Sequence, residues 1–140
     1  MHIASIVDKS NYRNLNTIFK LLKGRGNVLR GNIQIDDGVN LESSYVRGNI
    51  QIEDHAFIRD SSLGGTITIG DHCKVIGTRL SGKVNVGRYT SLWGPNIFIF
   101  QKFGTINIGN FCSIARGVNF QEFNHNSTKL TTYFIGSNYF

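Results

Sequence analysis

Gly31-Asn-Ile-Gln-Ile-Asp-Asp37 opens a series of five related phrases in this chain of 140 residues. The others are Gly48-Asn-Ile-Gln-Ile-Glu-Asp54, Gly65-Thr-Ile-Thr-Ile-Gly-Asp71, Gly82-Lys-Val-Asn-Val-Gly-Arg88 and Gly104-Thr-Ile-Asn-Ile-Gly-Asn110. The first four begin 17 residues apart, and the fifth begins 22 residues after the fourth, which predicts one repeat with a five-residue insertion. A fixed period of this length is typical of a solenoid, in which each repeat forms one coil stacked on the next.

Aliphatic residues recur at three positions of each coil, with spacings of 6, 6 and 5 residues. The first column is Ile35, Ile52, Ile69, Val86 and Ile108, and the second is Leu41, Ile58, Val75, Leu92 and Ile114. The third is Val46, Leu63, Leu80 and Ile97, with Asn119 beside Phe120 in the fifth coil. Because apolar residues alternate with polar ones inside each phrase, these segments are predicted strands, three to a coil, around a triangular prism. Small residues are predicted to fill one corner: Val39, Ala56, Cys73, Thr90 and Cys112.

A different pattern precedes the coils. Leu15, Ile18, Phe19 and Leu22 have the spacing of one apolar helix face, which predicts a short N-terminal α-helix that caps the first coil. The predicted organisation is an N-terminal segment over residues 1–30 and a β-helix domain over residues 31–140.

Three stretches carry a family resemblance. Ile69-Gly-Asp-His-Cys73, Val86-Gly-Arg-Tyr-Thr90 and Ile108-Gly-Asn-Phe-Cys112 resemble the hexapeptide repeat of bacterial acyltransferases. In that repeat, an aliphatic residue is followed by Gly, two variable residues and a small residue. The resemblance implies an all-β fold, a left-handed parallel β-helix of about five coils. Asn124-His125, followed by Thr132-Tyr133-Phe134, resembles the loop of the xenobiotic and polysaccharide acetyltransferases.

The resemblance also implies an activity. We expect an acetyl-CoA-dependent O- or N-acetyltransferase that transfers the acetyl group directly to a sugar, a glycan or a related small molecule. In the family, the His at the position of His125 is the base that activates the acceptor. Asn124, Trp93 and Tyr133 are the candidate acceptor contacts, and no coenzyme A contacts are assigned. A homotrimer with each site between neighbouring prisms is expected. Family members continue beyond this loop, so a chain ending at Phe140 is expected to be a fragment of a longer enzyme.

Two other classes of function remain open. One is a non-catalytic β-helical assembly or binding module. The other is a metal-dependent hydratase of the β-helical carbonic anhydrase type, because His55 and His72 hold the same position in successive coils. Tyr89 and Phe111 continue that column, which favours an outward aromatic ladder over a metal site. The stretch Phe98–Phe103 is predicted to be the insertion, serving as a site, a lid or a subunit contact.

Charge and composition narrow the partners. The net charge is +6, and the first 30 residues hold six basic residues against one acid, which predicts a solvated basic cap. The alternative is peripheral attraction to an anionic membrane surface or a phosphate-bearing glycan precursor. No nucleic-acid recognition motif is present, so nucleic acid is not an expected partner. Without an apolar run of membrane-spanning length or a signal peptide, a cytoplasmic location is expected. Cys73 and Cys112 are predicted to be unpaired thiols that pack as small apolar groups.

Overall fold

The computed structural model describes residues 26–122 and residue 128, and these residues contain strands and turns but no helix. Parallel strands wind into a left-handed β-helix of about six turns, which confirms the predicted fold class. The predicted helix over residues 15–22 lies outside the described residues. The strands are β1 (Val28–Ile35), β2 (Asn40–Glu42), β3 (Tyr45–Ile52), β4 (Phe57–Arg59), β5 (Ser62–Ile69), β6 (Lys74–Val86), β7 (Ser91–Phe100), β8 (Ile106–Ile108), β9 (Ser113–Ala115) and β10 (Asn119–Gln121). No helix among the described residues is long and apolar enough to cross a membrane.

The coil has three faces, and the longer strands bend around the corners between them. Face 1 holds residues 32–35, 49–52, 66–69, 83–86 and 106–108. Face 2 holds residues 40–42, 57–59, 74–76, 91–93 and 113–115. Face 3 holds residues 28–30, 45–47, 62–64, 79–81, 98–100 and 119–121. Each coil pairs in parallel with the next, so every residue lies over its counterpart from the neighbouring coil.

The core consists of the predicted aliphatic columns. The first two columns are confirmed: Ile52 pairs with Ile69 and then Val86 on face 1, and Ile58 pairs with Val75 on face 2. All five of these side chains are buried, with 2% exposure or less. Burying an aliphatic side chain of this size contributes about 1.5–3 kcal/mol before conformational entropy is subtracted. The stacked columns are therefore the main source of stability.

The third column differs from the prediction at its downstream end. Leu80 pairs with Ile99, and Ile99 pairs with Phe120, whereas Ile97 pairs with Thr78. Ile97 therefore lies at the corner between faces 2 and 3, and its assignment to the third column was wrong. The reason is that part of the insertion precedes it and moves the chain forward by two residues: Gly94, Pro95 and Asn96 stand opposite the single residue Gly77.

The other three extra residues follow face 3. Gln101 to Thr105, five residues, stand opposite the two residues Gly82 and Lys83, because Ser81 pairs with Phe100 and Val84 pairs with Ile106. The predicted single excursion over Phe98–Phe103 was therefore wrong, since Phe98–Phe100 is regular strand. Two short bulges at different corners accommodate the insertion, and both leave the strand pairing intact on the faces.

Glycine occupies the corner between faces 3 and 1 for a steric reason. Gly48, Gly65 and Gly82 have φ of +114°, +122° and +104°. A Cβ atom at Gly65 would lie 2.3 Å from the carbonyl oxygen of Gly82, and the same holds along the column. A side chain would thus meet both an unfavourable backbone conformation and the backbone of the next coil.

This corner gives a matched pair of expected results. Gly65→Ala should lower the free energy of unfolding by at least about 1–3 kcal/mol, the cost of a strained backbone conformation alone. Gly64→Ala is the control, because a Cβ atom there has no heavy atom within 4 Å. Thermal and urea unfolding followed by circular dichroism would measure both variants. Equal stability of the two variants would contradict the packing described for this corner.

A ladder of polar side chains supports the corner between faces 2 and 3. The side chain of Asn27 accepts a hydrogen bond from Ser44 N at 3.0 Å, Ser44 Oγ accepts one from Ser61 N at 3.2 Å, and Ser61 Oγ accepts one from Thr78 N at 3.2 Å. All four side chains are buried, so each bond satisfies a backbone group that water cannot reach. The ladder ends where Ile97 takes the next position in the column.

Candidate functional site

Trp93 is the one predicted acceptor contact that lies among the described residues. It is the last residue of face 2 on β7, pairs with Ile76 on one side and Ala115 on the other, and is 46% exposed. The ammonium group of Lys74 lies 5.9 Å from the centre of its ring. A shallow cavity of about 250 Å³ borders the ring, between Phe57, Arg59, Lys74 and Ile76. Trp93 therefore offers a flat apolar surface beside a cation, which suits a sugar or an aromatic ring with an attached anion.

Asn124, His125 and Tyr133 lie outside the described residues. The chain reaches them from β10, which pairs with Phe98–Phe100 on face 3, whereas Trp93 lies on face 2. The described residues therefore show where the strand before His125 begins its exit, and Glu122 is the residue that follows this strand.

The Glu122 carboxylate holds the second bulge to the end of β10. Its two oxygens accept hydrogen bonds from three consecutive backbone N–H groups: Lys102 at 2.8 Å, Phe103 at 2.6 Å and Gly104 at 2.5 Å. The side chain of Gln101 also hydrogen-bonds to the carboxylate, while its own Oε1 accepts a hydrogen bond from Lys83 N at 2.6 Å. Glu122 thus connects the segment leading to His125 with two coils of the solenoid.

The charge on Glu122 strengthens this connection. The backbone N–H of Phe103, followed by those of Lys102 and Gly104, lowers the pKa of the Glu122 carboxyl below its ordinary value, against a smaller opposing effect of desolvation. Hydrogen bonds to a carboxylate favour its charged form. The contribution is therefore fully present above the ordinary glutamate pKa of about 4.3 and is lost as the pH falls through the lowered value.

A pH titration should report this anchor. The amide protons of Lys102, Phe103 and Gly104 should change chemical shift together as the pH falls below about 4.3, because protonation removes their charged acceptor. In Glu122→Gln these resonances should lose the titration and lie at shifts typical of weaker bonds. Asp37→Asn, which removes an exposed carboxylate elsewhere, is the control. Unchanged titration of the three amides in Glu122→Gln would contradict the anchor.

The predicted aromatic ladder is confirmed. The rings of His55, His72, Tyr89 and Phe111 stack along the corner between faces 1 and 2, with successive centroids 5.0, 4.7 and 5.5 Å apart. All four residues have positive φ, between 55° and 59°. Stacking gives these exposed rings a contact that offsets part of the backbone cost. Within residues 26–122, no group of three or more His, Cys, Asp or Glu side chains is placed to hold a metal ion.

The two cysteines are free thiols, as expected. Cys73 is fully buried and donates a hydrogen bond from Sγ to the carbonyl of Gly87 at 2.9 Å. Burial raises the pKa of the Cys73 thiol, which keeps it protonated and unreactive. Cys112 occupies the same corner near the downstream end of the described coils and is half-buried.

Face 3 carries functional features that the sequence alone did not reveal. A groove of about 630 Å³ runs along its corner with face 2, and a second cavity of about 240 Å³ adjoins it; Arg79 and Phe98 line both. Arg30 lies directly beside Arg47 in the strand pairing, and Arg79 lies beside Phe98. The 17-residue separation of Arg30 and Arg47 was a usable signal, but the pairing of Arg79 with Phe98 depends on how the insertion is divided.

Comparison with known proteins gives no relative for this chain. No family model, no curated protein and no solved structure matches it significantly.

Proposed function

We propose that this chain belongs to an acetyl-CoA-dependent O- or N-acetyltransferase that acts on a sugar, a glycan or a related small molecule with a hydroxyl or amine group. One observation supports the proposal. The hexapeptide-like phrases coincide with the coil: Ile69 points into the core from face 1, and Cys73, four residues later, fills the adjacent corner. Val86 and Thr90 repeat this arrangement in the next coil.

In the proposed reaction, the acceptor oxygen or nitrogen attacks the thioester carbonyl of acetyl-CoA. His125 takes the proton of the attacking atom, and collapse of the tetrahedral intermediate breaks the carbon–sulfur bond. The coenzyme A thiolate leaves, and the proton passes from His125 to it or to water. An imidazole suits this role because it titrates near neutral pH.

The acceptor side of the proposed site includes Trp93, with Asn124 and Tyr133 as further contacts. The exposed Trp93 ring, with the Lys74 ammonium 5.9 Å from its centre, would stack on the apolar face of a sugar. A homotrimer is part of the proposal, because a prism with flat sides suits threefold packing. Light scattering at micromolar concentration tests this assembly.

The proposal is tested by following free coenzyme A with a thiol reagent. Acetyl-CoA is incubated with the protein, expressed from its natural reading frame, and with a panel of sugar and amine acceptors; reactions without acceptor are the control. We expect thiol release that requires both the protein and an acceptor. Absence of acceptor-dependent release across the panel would count against acetyl transfer.

A non-catalytic binding or assembly module is the second candidate function. The observation that favours it is the exposure of large aromatic side chains on faces 2 and 3: Trp93, Phe98 and Phe100 are each exposed by more than 40%. Contiguous apolar surface of this kind marks interaction sites. A protein that forms stable complexes but releases no thiol from acetyl-CoA would support this candidate over the enzyme.

A further inference from the structure

Face 3 displays an uncompensated positive surface. Arg30, Arg47 and Arg79 are exposed on its outward side, and none of its outward side chains over residues 28–121 is acidic. Within the described part of the chain, none of these three arginines has an ion-pair partner. Arg30 and Arg47 are direct neighbours in the strand pairing, and like charges opposite one another destabilise a sheet. An arrangement that weakens the free protein is explained if an anionic ligand lies across it.

Aromatic side chains lie among these charges. Tyr45 is two residues before Arg47 on the same outward side, and Phe98, which is 46% exposed, pairs with Arg79. Tyr45, Arg79 and Phe98 all line the 630 Å³ groove. Rings that alternate with guanidinium groups suit a ligand with apolar ring faces and regularly spaced anionic groups.

The rim of the groove distinguishes between anionic polymers. Ser43, Asp60 and Asn96 line it along the corner with face 2, each with a positive φ. Asp60 supplies a carboxylate, which accepts hydrogen bonds from hydroxyl groups but repels phosphates. A chain of uronic acids has both partners, because its carboxylates match the arginine fork and its hydroxyls match Asp60 and Ser43. A nucleic-acid backbone lacks the hydroxyl donors that would face Asp60 in this way.

We infer that face 3 is a binding site for an acidic glycan of the uronic acid class, which lies along the groove with its carboxylates on Arg47 and Arg79. The ring of Phe98 stacks on a sugar unit, and Asp60 accepts hydrogen bonds from hydroxyls. This site does not depend on acetyl transfer, and it exists whether or not the protein is an enzyme.

Isothermal titration calorimetry with a defined-length oligogalacturonate tests the site, with no acetyl donor present. The methyl-esterified form of the same oligosaccharide is the first control, because it keeps the sugar ring and loses the charge. We expect the esterified ligand to bind at least about tenfold more weakly, since each arginine then loses its charged acceptor. Equal affinity for the two ligands would overturn the inference, as would absence of binding to the acidic form.

Matched variants locate the site. Arg47→Gln/Arg79→Gln should weaken binding by at least about tenfold, and Phe98→Ala by about threefold to tenfold. Arg88→Gln/Arg116→Gln removes the same charge away from face 3 and should change binding by less than about threefold. Circular dichroism verifies that each variant is folded. Equal losses in the two double variants would show that net charge alone attracts the glycan, and this result would overturn the site.

A single-stranded DNA oligonucleotide of the same net charge is the final comparison. We expect it to bind more weakly than the oligogalacturonate at equal ionic strength. DNA binding that is tighter, and is lost selectively in Arg47→Gln/Arg79→Gln, would assign face 3 to nucleic acid and overturn the glycan assignment.

Discussion

The His125→Ala variant is expected to transfer acetyl groups about 10²–10⁴-fold more slowly than the unaltered protein, with its fold unchanged. The loss follows from the proposed role of His125, because without a base the acceptor must attack while still carrying its proton. The expected change is mainly in kcat, since the proton moves in the transition state and not on binding. Steady-state rates of coenzyme A release measure it, and circular dichroism verifies the fold.

His55→Ala is the matched control for this variant. His55 is an exposed ring at one end of the aromatic ladder, stacked on His72 at 5.0 Å. Its loss should leave turnover within about twofold, because no role in proton transfer is proposed for it. If His125→Ala retains full activity, His125 is an ordinary loop residue and the base lies elsewhere.

The Ile69→Asp variant is expected to unfold the solenoid. Ile69 is fully buried on face 1 between Ile52 and Val86, its partners in the adjacent coils. A carboxylate there would have no cationic partner in the apolar column, and the cost of about 4 kcal/mol or more is a large fraction of a typical domain's stability. Loss of the strand signal in circular dichroism and of the cooperative thermal transition would register this result.

Thr68→Asp places the same charge one residue earlier. Thr68 is on the outward side of face 1, paired with Gln51 and Asn85, so the carboxylate stays in contact with water. We expect a change of less than about 1 kcal/mol in the free energy of unfolding. Because a one-residue shift of a strand exchanges its two sides, greater destabilisation by Thr68→Asp than by Ile69→Asp would contradict the strand orientation.

The candidate site was less accessible from the sequence than the fold. Trp93 was named from its place near the insertion, and the structure places it on face 2 with an exposed ring. The role of Glu122 had no signal in the repeat, because its three N–H donors come from a bulge 18 to 20 residues earlier in the chain. Such contacts form only once the coils are stacked.

The third aliphatic column shows where the repeat stops being informative. Ile97 and Ile99 are both β-branched, and either one extends the column if the five extra residues are treated as one block. The structure places Ile99 on Leu80, because two extra residues bulge before face 3 and three after it. This division is decided by the pairing of whole strands, which keeps the backbone hydrogen bonds of Phe98 and Gln101 with the adjacent coils.

The sequence by itself determined the coil: its length, its glycine corner, its inward aliphatic columns and its outward aromatic ladder. These features are local or repeat at a fixed interval, so the alternation of side chains and the stacking of identical positions are enough to predict them. Only the tertiary structure decided how the insertion is divided, what Glu122 holds and which charges meet Phe98 on face 3. Those outcomes depend on contacts between coils whose spacing in sequence differs from the repeat, and such contacts are fixed by the packing of the whole solenoid.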